Sequence, residues 1–281
     1  MLDLNLLKNS GFFKTKTLKK GEILFDEGEK DTNLYVIIRG ELKIEKYTTK
    51  KRNETKVLAY LKNNEVFGEA ALNSDKEKEV KIQATITTSL LYIDAKYELN
   101  QFTKKHPEEG LNLLKYIIYL SNKRLLESNY LITANYKVSQ EISKIKEINN
   151  KSVFELIQKL KDIVNADYIV YLEENPIMQN YTTIKYDTRK EGKMLDIVIE
   201  TAENKLSILE LKNEGYNNSI HELTIGSDNL GLLIFFKKGK DFNDNDKKVL
   251  TSVTTSIAGL IKQKIILEEE KNKNLLLGEN F

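Results

Sequence analysis

The sequence predicts an α+β chain in three parts: an N-terminal β jelly roll or barrel, a long connecting helix, and a C-terminal α+β sandwich. Three observations carry this. Residues 13–94 hold short β-patterned segments separated by glycines. From Pro107 to about Asn149 the chain has apolar residues at helical spacing and only Gly110 to interrupt them. After Lys151 the pattern reads helix, several strands, helix. The divisions fall at 1–105, 106–150 and 151–266, with a tail at 267–281. A chain of 281 residues is long enough for two domains, each burying its own core.

In the first part, Leu34 to Ile38 is rich in Tyr, Val and Ile, and Gly40 turns it into Glu41 to Lys46, which alternates apolar and charged residues. Alternation means one wet and one buried face. Thr55 to Leu61, Val80 to Ala84 and Ser89 to Asp94 read as further strands. Gly21, Gly28 and Gly40 stand at reversals, and short strands at this spacing form small barrels or jelly rolls. In the second part Leu111, Leu114, Ile118 and Leu125 recur at helical intervals, as do Val138, Ile142 and Ile145, with Ser128-Asn129 a candidate break. A helix of roughly 40 residues would span about 60 Å, more than one small barrel covers. Its open stripe is expected to pack on the same helix of a second copy, as a homodimeric coiled coil; two helices folding back on their own domains is the alternative.

In the third part, Ser152 and Glu155 give a capping-box pattern for a helix through Phe154, Ile157, Leu160 and Ile163. Ala166 to Leu172, Leu195 to Glu200, Lys205 to Leu211 and Ile220 to Ile225 read as strands, and the apolar run Leu230 to Phe236 as a central one. A closing helix carries Val249, Leu250, Val253, Ile257, Leu260 and Ile261. That order predicts an antiparallel sheet with helices on one face. Residues from Glu268 onward read as a fraying helix end.

Composition excludes several chemistries. Without cysteine there is no disulfide, thiolate nucleophile or Cys-ligated zinc, and two histidines, His106 and His221, do not make a multi-His metal site. The 44 basic and 42 acidic residues leave a net charge of +2, which gives no strong pull toward nucleic acid or anionic lipid. Lysine dominates, with arginine only at Arg39, Arg52, Arg124 and Arg189. There is no run of about 20 apolar residues to span a membrane, and the N-terminus lacks a signal-peptide pattern, so a cytoplasmic location is expected. No P-loop or Ser-His-Asp order is present, and catalysis is not expected.

The most specific motif is Val66-Phe67-Gly68-Glu69-Ala70-Ala71-Leu72, about 45 residues after Lys20-Gly21-Glu22-Ile23-Leu24-Phe25-Asp26-Glu27-Gly28. A glycine and a carboxylate opening a tight turn can hold a phosphate on backbone N–H groups and a ribose hydroxyl on the carboxylate. With Leu34-Tyr35-Val36-Ile37 and Gly40-Glu41-Leu42, these stretches resemble the cyclic-nucleotide-binding domain of the catabolite activator and protein kinase regulatory subunit family. The long helix resembles the dimer helix of that family. Residues 151–266 are similar to a GAF domain, on Gly231-Leu232-Leu233 followed by Phe242, Asp246 and Leu250.

The resemblance implies a ligand cassette of Gly68, Glu69, Ala70, Ala71, Lys78 and Glu79, taking cyclic AMP or cyclic GMP, with Glu69 on the ribose. The family has an arginine where this chain has Lys78, followed by a small residue where it has Glu79; a register shifted by two puts Lys76 there instead. Lysine lacks the bidentate fork. A Glu79 carboxylate about 4 Å from an anion repels it by about 4 kcal/mol at an effective dielectric of 20, roughly a thousandfold in affinity. The cassette therefore reads either as a weakened nucleotide site or as a scaffold turn. Tyr181, Tyr186 and Arg189 are candidate pocket residues of the third part, and His221 reads as a hydrogen-bonded or exposed histidine. The winged helix-turn-helix of the family's transcription factors has no counterpart here, so direct nucleic-acid binding is not expected. The expectation is a homodimeric sensor or adaptor read by a protein partner. A transcriptional regulator with divergent output and a ligand-free scaffold are the alternatives.

Overall fold

The computed structural model describes residues 2–73, 77–174, 181–190, 197–200 and 215–278. Lys76 and the expected strand Lys205 to Leu211 lie outside them. The chain divides into two compact units, Met1–Leu125 and Leu126–Phe281.

The first unit is two antiparallel four-stranded sheets face to face. One has the order β1 (Lys14–Leu18), β8 (Thr88–Asp94), β3 (Asn33–Arg39), β6 (Val66–Phe67). The other has β2 (Ile23–Phe25), β7 (Lys81–Ala84), β4 (Leu42–Tyr47), β5 (Thr55–Leu61). Alternate residues of each, among them Phe25, Tyr35, Ile37, Leu42, Phe67 and Leu90, fill the space between. The opposite side of β3 and β8, with Leu34, Val36, Leu91 and Ile93, is covered by α1 (Leu4–Asn9), α2 (Glu98–Lys105) and the start of α3 (Pro107–Ser143) through Leu7, Phe102, Leu113, Ile117 and Leu120. Both faces of β3 are thus buried, which is why Leu34 to Ile37 is continuously apolar. The jelly roll read from the sequence is present. The reading missed β1, β2 and β6, which are short or, in β1, exposed at four of five positions.

Helix α3 is unbroken over 37 residues; Ser128 and Asn129 continue it. Proline opens it, where its missing N–H costs nothing.

The second unit is a five-stranded antiparallel sheet, in the order β11 (Ile197–Glu200), β10 (Tyr181–Asp187), β9 (Tyr168–Glu174), β13 (Asp228–Lys238), β12 (Tyr216–Ile225). Helices α4 (Asn150–Val164) and α5 (Asp244–Gly278) and the second half of α3 pack on one face, through Val138, Leu156, Leu160, Val253 and Ile257 against Ile169, Tyr171, Leu233 and Phe235. The other face, with Val170, Leu172, Leu232 and Ile234, is also buried. Burial on both sides accounts for the run Leu230 to Phe236. The α4 cap sits one turn earlier than expected: Asn149 accepts from the Ser152 N–H at 3.0 Å, and the Asn149 N–H donates to Ser152 Oγ at 3.0 Å. Asparagine with serine here performs the reciprocal capping expected of Ser152 and Glu155. The sequence reading also missed β10, whose burial does not alternate because its register shifts between Ile184 and Tyr186. Helix α5 continues through Gly278, well past the expected tail boundary.

His221 on β12 is hydrogen-bonded, with Nε2 2.8 Å from Ser219 Oγ and the ring edge-on to Phe235. Burial lowers its pKa. The unfolded chain therefore binds a proton more readily than the folded one below the ordinary value of about 6.5. Stability should fall as pH drops from about 6.5 toward the folded-state value. His221→Gln should flatten that dependence in thermal melts at pH 7.5 and 5; an unchanged slope assigns the acid sensitivity to other groups.

Candidate functional site

The turn after β6 is built around Gly68. It has φ +87°, and a Cβ there would stand 2.5 Å from the Asn33 carbonyl oxygen of β3. Only glycine meets both conditions. It opens a 3-10 turn, Glu69–Leu72, in which Ala70 is exposed and Ala71 is buried in the core against α3.

Glu69 is held by a residue that the sequence reading did not single out. Arg124 Nη1 of α3 donates to Glu69 Oε1 at 2.9 Å, and Nη2 donates to the Val66 carbonyl at 2.6 Å, with Glu65 Oε2 3.8 Å away. The fork bridges both ends of the turn, from the last strand residues to the carboxylate. Oxygen Oε2 of Glu69 makes no hydrogen bond among the described residues. Both side chains are about one-third exposed. Such a pair contributes only about 0–1 kcal/mol to stability, so its main consequence is orientation.

Lys78 and Glu79 lie elsewhere. The Lys78 backbone bridges to the β2–β3 turn, its N–H donating to Glu29 O and its carbonyl accepting from the Gly28 N–H, both at 2.8 Å. Its side chain, 9% exposed, turns inward: Nζ lies 3.5 Å from Asp31 Oδ1 and 5.0 Å from the Phe25 ring centre. Asp31 in turn accepts from the Tyr35 hydroxyl at 2.6 Å and the Asn33 N–H at 3.0 Å. Burial, then the Asp31 hydrogen bond, raises the Tyr35 pKa, so this hydroxyl stays a donor. The Lys78 ammonium, expected from the sequence to meet a phosphate, is thus already engaged.

Glu79 is exposed, on the rim of a depression of about 540 Å³ around Gly28 and Lys78. Glu27, Glu77 and Glu79 share that rim with Lys30, Lys46 and Arg52. The expected repulsion by Glu79 is therefore set among charges of both signs. Gly68, Glu69, Ala70 and Ala71 do not line this depression, so the six cassette residues occupy two places: the turn facing α3, and the rim.

In the second unit the three candidate pocket residues do not converge. Tyr186 is a core residue, stacked on Tyr171 and donating to Asn150 O at 2.6 Å. Arg189 forks onto Asp187 at 2.7 Å and covers the Tyr168 ring, which belongs to the other face of the sheet. Tyr181 is half-buried at the start of β10. Among the described residues no group of side chains is arranged to hold a metal, and no helix is long and apolar enough to cross a membrane.

Comparison with known families matches residues 15–106 to the cyclic nucleotide-binding domain. This segment is a cyclic nucleotide-binding domain. The match takes in both sheets, the Gly68–Glu69 turn and α2. Solved structures similar to the chain include a cyclic nucleotide-binding domain from Methylobacillus flagellatus, at 19% identity and TM-score 0.38, covering 42% of this chain and 65% of that one. The catabolite activator protein of Thermus thermophilus aligns at 16% identity and TM-score 0.40, over 58% of this chain and 76% of that one. The N-terminal domain of a transcriptional regulator from Streptomyces coelicolor aligns at 23% identity and TM-score 0.36, over 44% and 86%. No curated protein gives a significant match.

The cyclic nucleotide-binding domain explains two local choices. Its turn needs Gly68 for backbone geometry whatever it binds, and Glu69 is presented beside that glycine. The sequence carried one signal for Arg124: it is one of four arginines among 44 basic residues. Two of those four, Arg124 and Arg189, make forked contacts that lysine cannot copy.

Proposed function

We propose that this chain is a homodimeric signalling sensor or adaptor. Its cyclic nucleotide-binding domain takes a cyclic mononucleotide through the Gly68–Glu69 turn, and α3 couples that domain to the C-terminal α+β unit, of GAF-like kind. A protein partner reads the state of that unit, and no bond is made or broken.

The observation that carries the reading is the stripe on α3. Leu111, Ile118, Leu125 and Ile132 recur every seven residues on one unbroken helix and are 50%, 60%, 58% and 62% exposed. A seven-residue apolar repeat is the signature of a left-handed helix pair. Large aliphatic side chains left open at that interval fit a second copy of the same helix, as the sequence reading expects. Nucleotide specificity on this view rests on Glu69 and the backbone of its turn, because Lys78 is occupied by Asp31. A ligand acts on α3 only through different affinities for its two arrangements.

Two measurements test this. Light scattering on the purified chain should give a dimer at micromolar concentration, and Ile118→Glu with Leu125→Glu should give a monomer. A monomeric parent chain removes the dimer from the proposal. Thermal shift with cyclic AMP and cyclic GMP should show stabilisation of about 2.7 kcal/mol at 100 times the dissociation constant. No shift with either removes the nucleotide.

A further inference from the structure

We propose that the open edge of β5 is a docking strand for a partner protein: it takes an extended segment that is apolar at its centre and carries carboxylates at its ends. The inference rests on neither the nucleotide nor the dimer of the proposed function.

A strand at a sheet edge leaves a row of backbone N–H and C=O groups without ladder partners. Folded chains usually blunt such edges with short strands, lysines, proline or bulges. The roll has four edges, at β1, β6, β2 and β5. Strands β2 and β6 have three and two residues. Strand β1 presents Lys14-Thr15-Lys16-Thr17, all exposed. Strand β5 is different. It runs for seven residues, Thr55–Leu61, and among the described residues pairs on one side only, with β4. Its middle is Val57-Leu58-Ala59-Tyr60, in which Val57 is 38% exposed and Leu58 and Tyr60 are each 47% exposed. The strand does carry a bulge: Ala59 pairs with Ile44 and Val57 with Glu45, so Leu58 has no partner in β4. A bulge that only protected the edge would be served as well by a polar residue; this one leaves a large aliphatic side chain in the open.

The charges around that centre select the occupant. Lys56 and Lys62 bracket it. The hairpin from Leu42 to Leu61 holds six basic and two acidic residues, a net +4 in a chain whose total is +2. One of the two acids, Glu45, is buried opposite Val57, with its carboxylate on Lys43 at 2.8 Å, Thr55 Oγ1 at 3.3 Å and Lys81 at 4.0 Å. The other, Glu54, accepts from Thr48 Oγ1 across the turn. A second copy of β5 fits badly. Two copies paired antiparallel about Ala59, the register that overlays the whole apolar run Val57–Leu61, would set Lys56 opposite Lys62 twice over. Like charges directly opposite work against pairing. A segment with glutamate or aspartate in those places turns both repulsions into attractions, and apolar side chains at its centre cover Leu58 and Tyr60. Backbone hydrogen bonds hold such an added strand, and alternate side chains choose it.

The test uses the full chain and a short fluorescent peptide of alternating valine and threonine with glutamates at both ends, read by anisotropy. It should bind at least about tenfold tighter than the same peptide ending in lysines. Leu58→Lys with Tyr60→Lys should weaken it by about tenfold or more. N-methylation of every second backbone nitrogen of the peptide, in one of its two phases, should abolish binding to the parent chain, a result that depends on no variant's folding. Amide exchange in the complex should slow over residues 55–61 and not over 14–18, the lysine-blunted edge. No binding by the parent chain, full binding of the methylated peptide in both phases, or equal protection of residues 14–18 overturns the inference. Displacement of the peptide by phosphatidylserine vesicles or a single-stranded oligonucleotide at equal or lower concentration also overturns it, by making the hairpin a general anion surface. So does a dimeric parent chain that Leu58→Lys converts to a monomer, since the edge is then a seam between copies.

Discussion

Gly231→Ala should remove at least about 3 kcal/mol from the stability of the C-terminal unit. Gly231 lies inside β13 with φ +124°, where an L side chain is strained. A Cβ would also stand 2.0 Å from the Leu172 carbonyl oxygen and 3.0 Å from its carbonyl carbon, backbone atoms of β9. Neither can retreat without opening the ladder in which Leu232 pairs with Leu172 and Leu233 with Tyr171. That ladder joins the central strand β9 to the interior strand β13, so the strain cannot be shed at an edge. Gly239→Ala is the control: φ is +85° and nothing lies within 4 Å of the added carbon, so the cost is the backbone strain alone, about 1–2 kcal/mol. Urea unfolding followed by circular dichroism measures both. Equal losses would show that the β9–β13 approach does not govern the site.

Asp31→Ala should destabilise the cyclic nucleotide-binding domain by about 3 kcal/mol, and adding Lys78→Met should recover most of it. Asp31 holds four groups: the Lys78 ammonium at 3.5 Å, the Tyr35 hydroxyl at 2.6 Å, and the backbone N–H and side-chain amide of Asn33 at 3.0 and 3.2 Å. Removing it leaves a lysine side chain only 9% exposed, its ammonium over the Phe25 ring and without its ion-pair partner. A buried charge that loses its partner is more costly than a pair that was never there, which is why the methionine replacement rescues. Thermal or urea unfolding of the single and double variants decides. If the double variant is as unstable as the single, the loss comes from Tyr35 and Asn33, and the ion pair is incidental.

Much of this fold was legible because burial prints a period on the chain. β5 was read at its true bounds, Thr55–Leu61, and β8 to within one residue, Thr88–Asp94. The strands that escaped have weak periods: β1 is Lys-Thr-Lys-Thr with one buried leucine, and β10 mixes Thr, Lys and Tyr. The Asn149–Ser152 cap escaped because Ser152 also fits the neighbouring pattern with Glu155. For the site, Gly68 and Glu69 announced themselves as adjacent residues. Their partner Arg124 is 55 positions away on a helix, where an arginine ordinarily marks a wet face. The inward turn of Lys78 was hidden for the same reason, since Asp31 and Phe25 are distant in sequence and unremarkable in type. Local chemistry could be read from neighbours; contacts made by closure of the roll could not.

Arg124 and Leu125 are consecutive residues of one uninterrupted helix. The first grips the turn; the second belongs to the seven-residue stripe. Their α-carbons are about 3.8 Å apart, and a helix does not stretch between neighbours. Whatever displaces the guanidinium carries the leucine with it, in the same stroke. A displacement passing from the turn to the stripe thus needs no chain of repacking side chains, and only a single peptide unit lies between the hand and the handle.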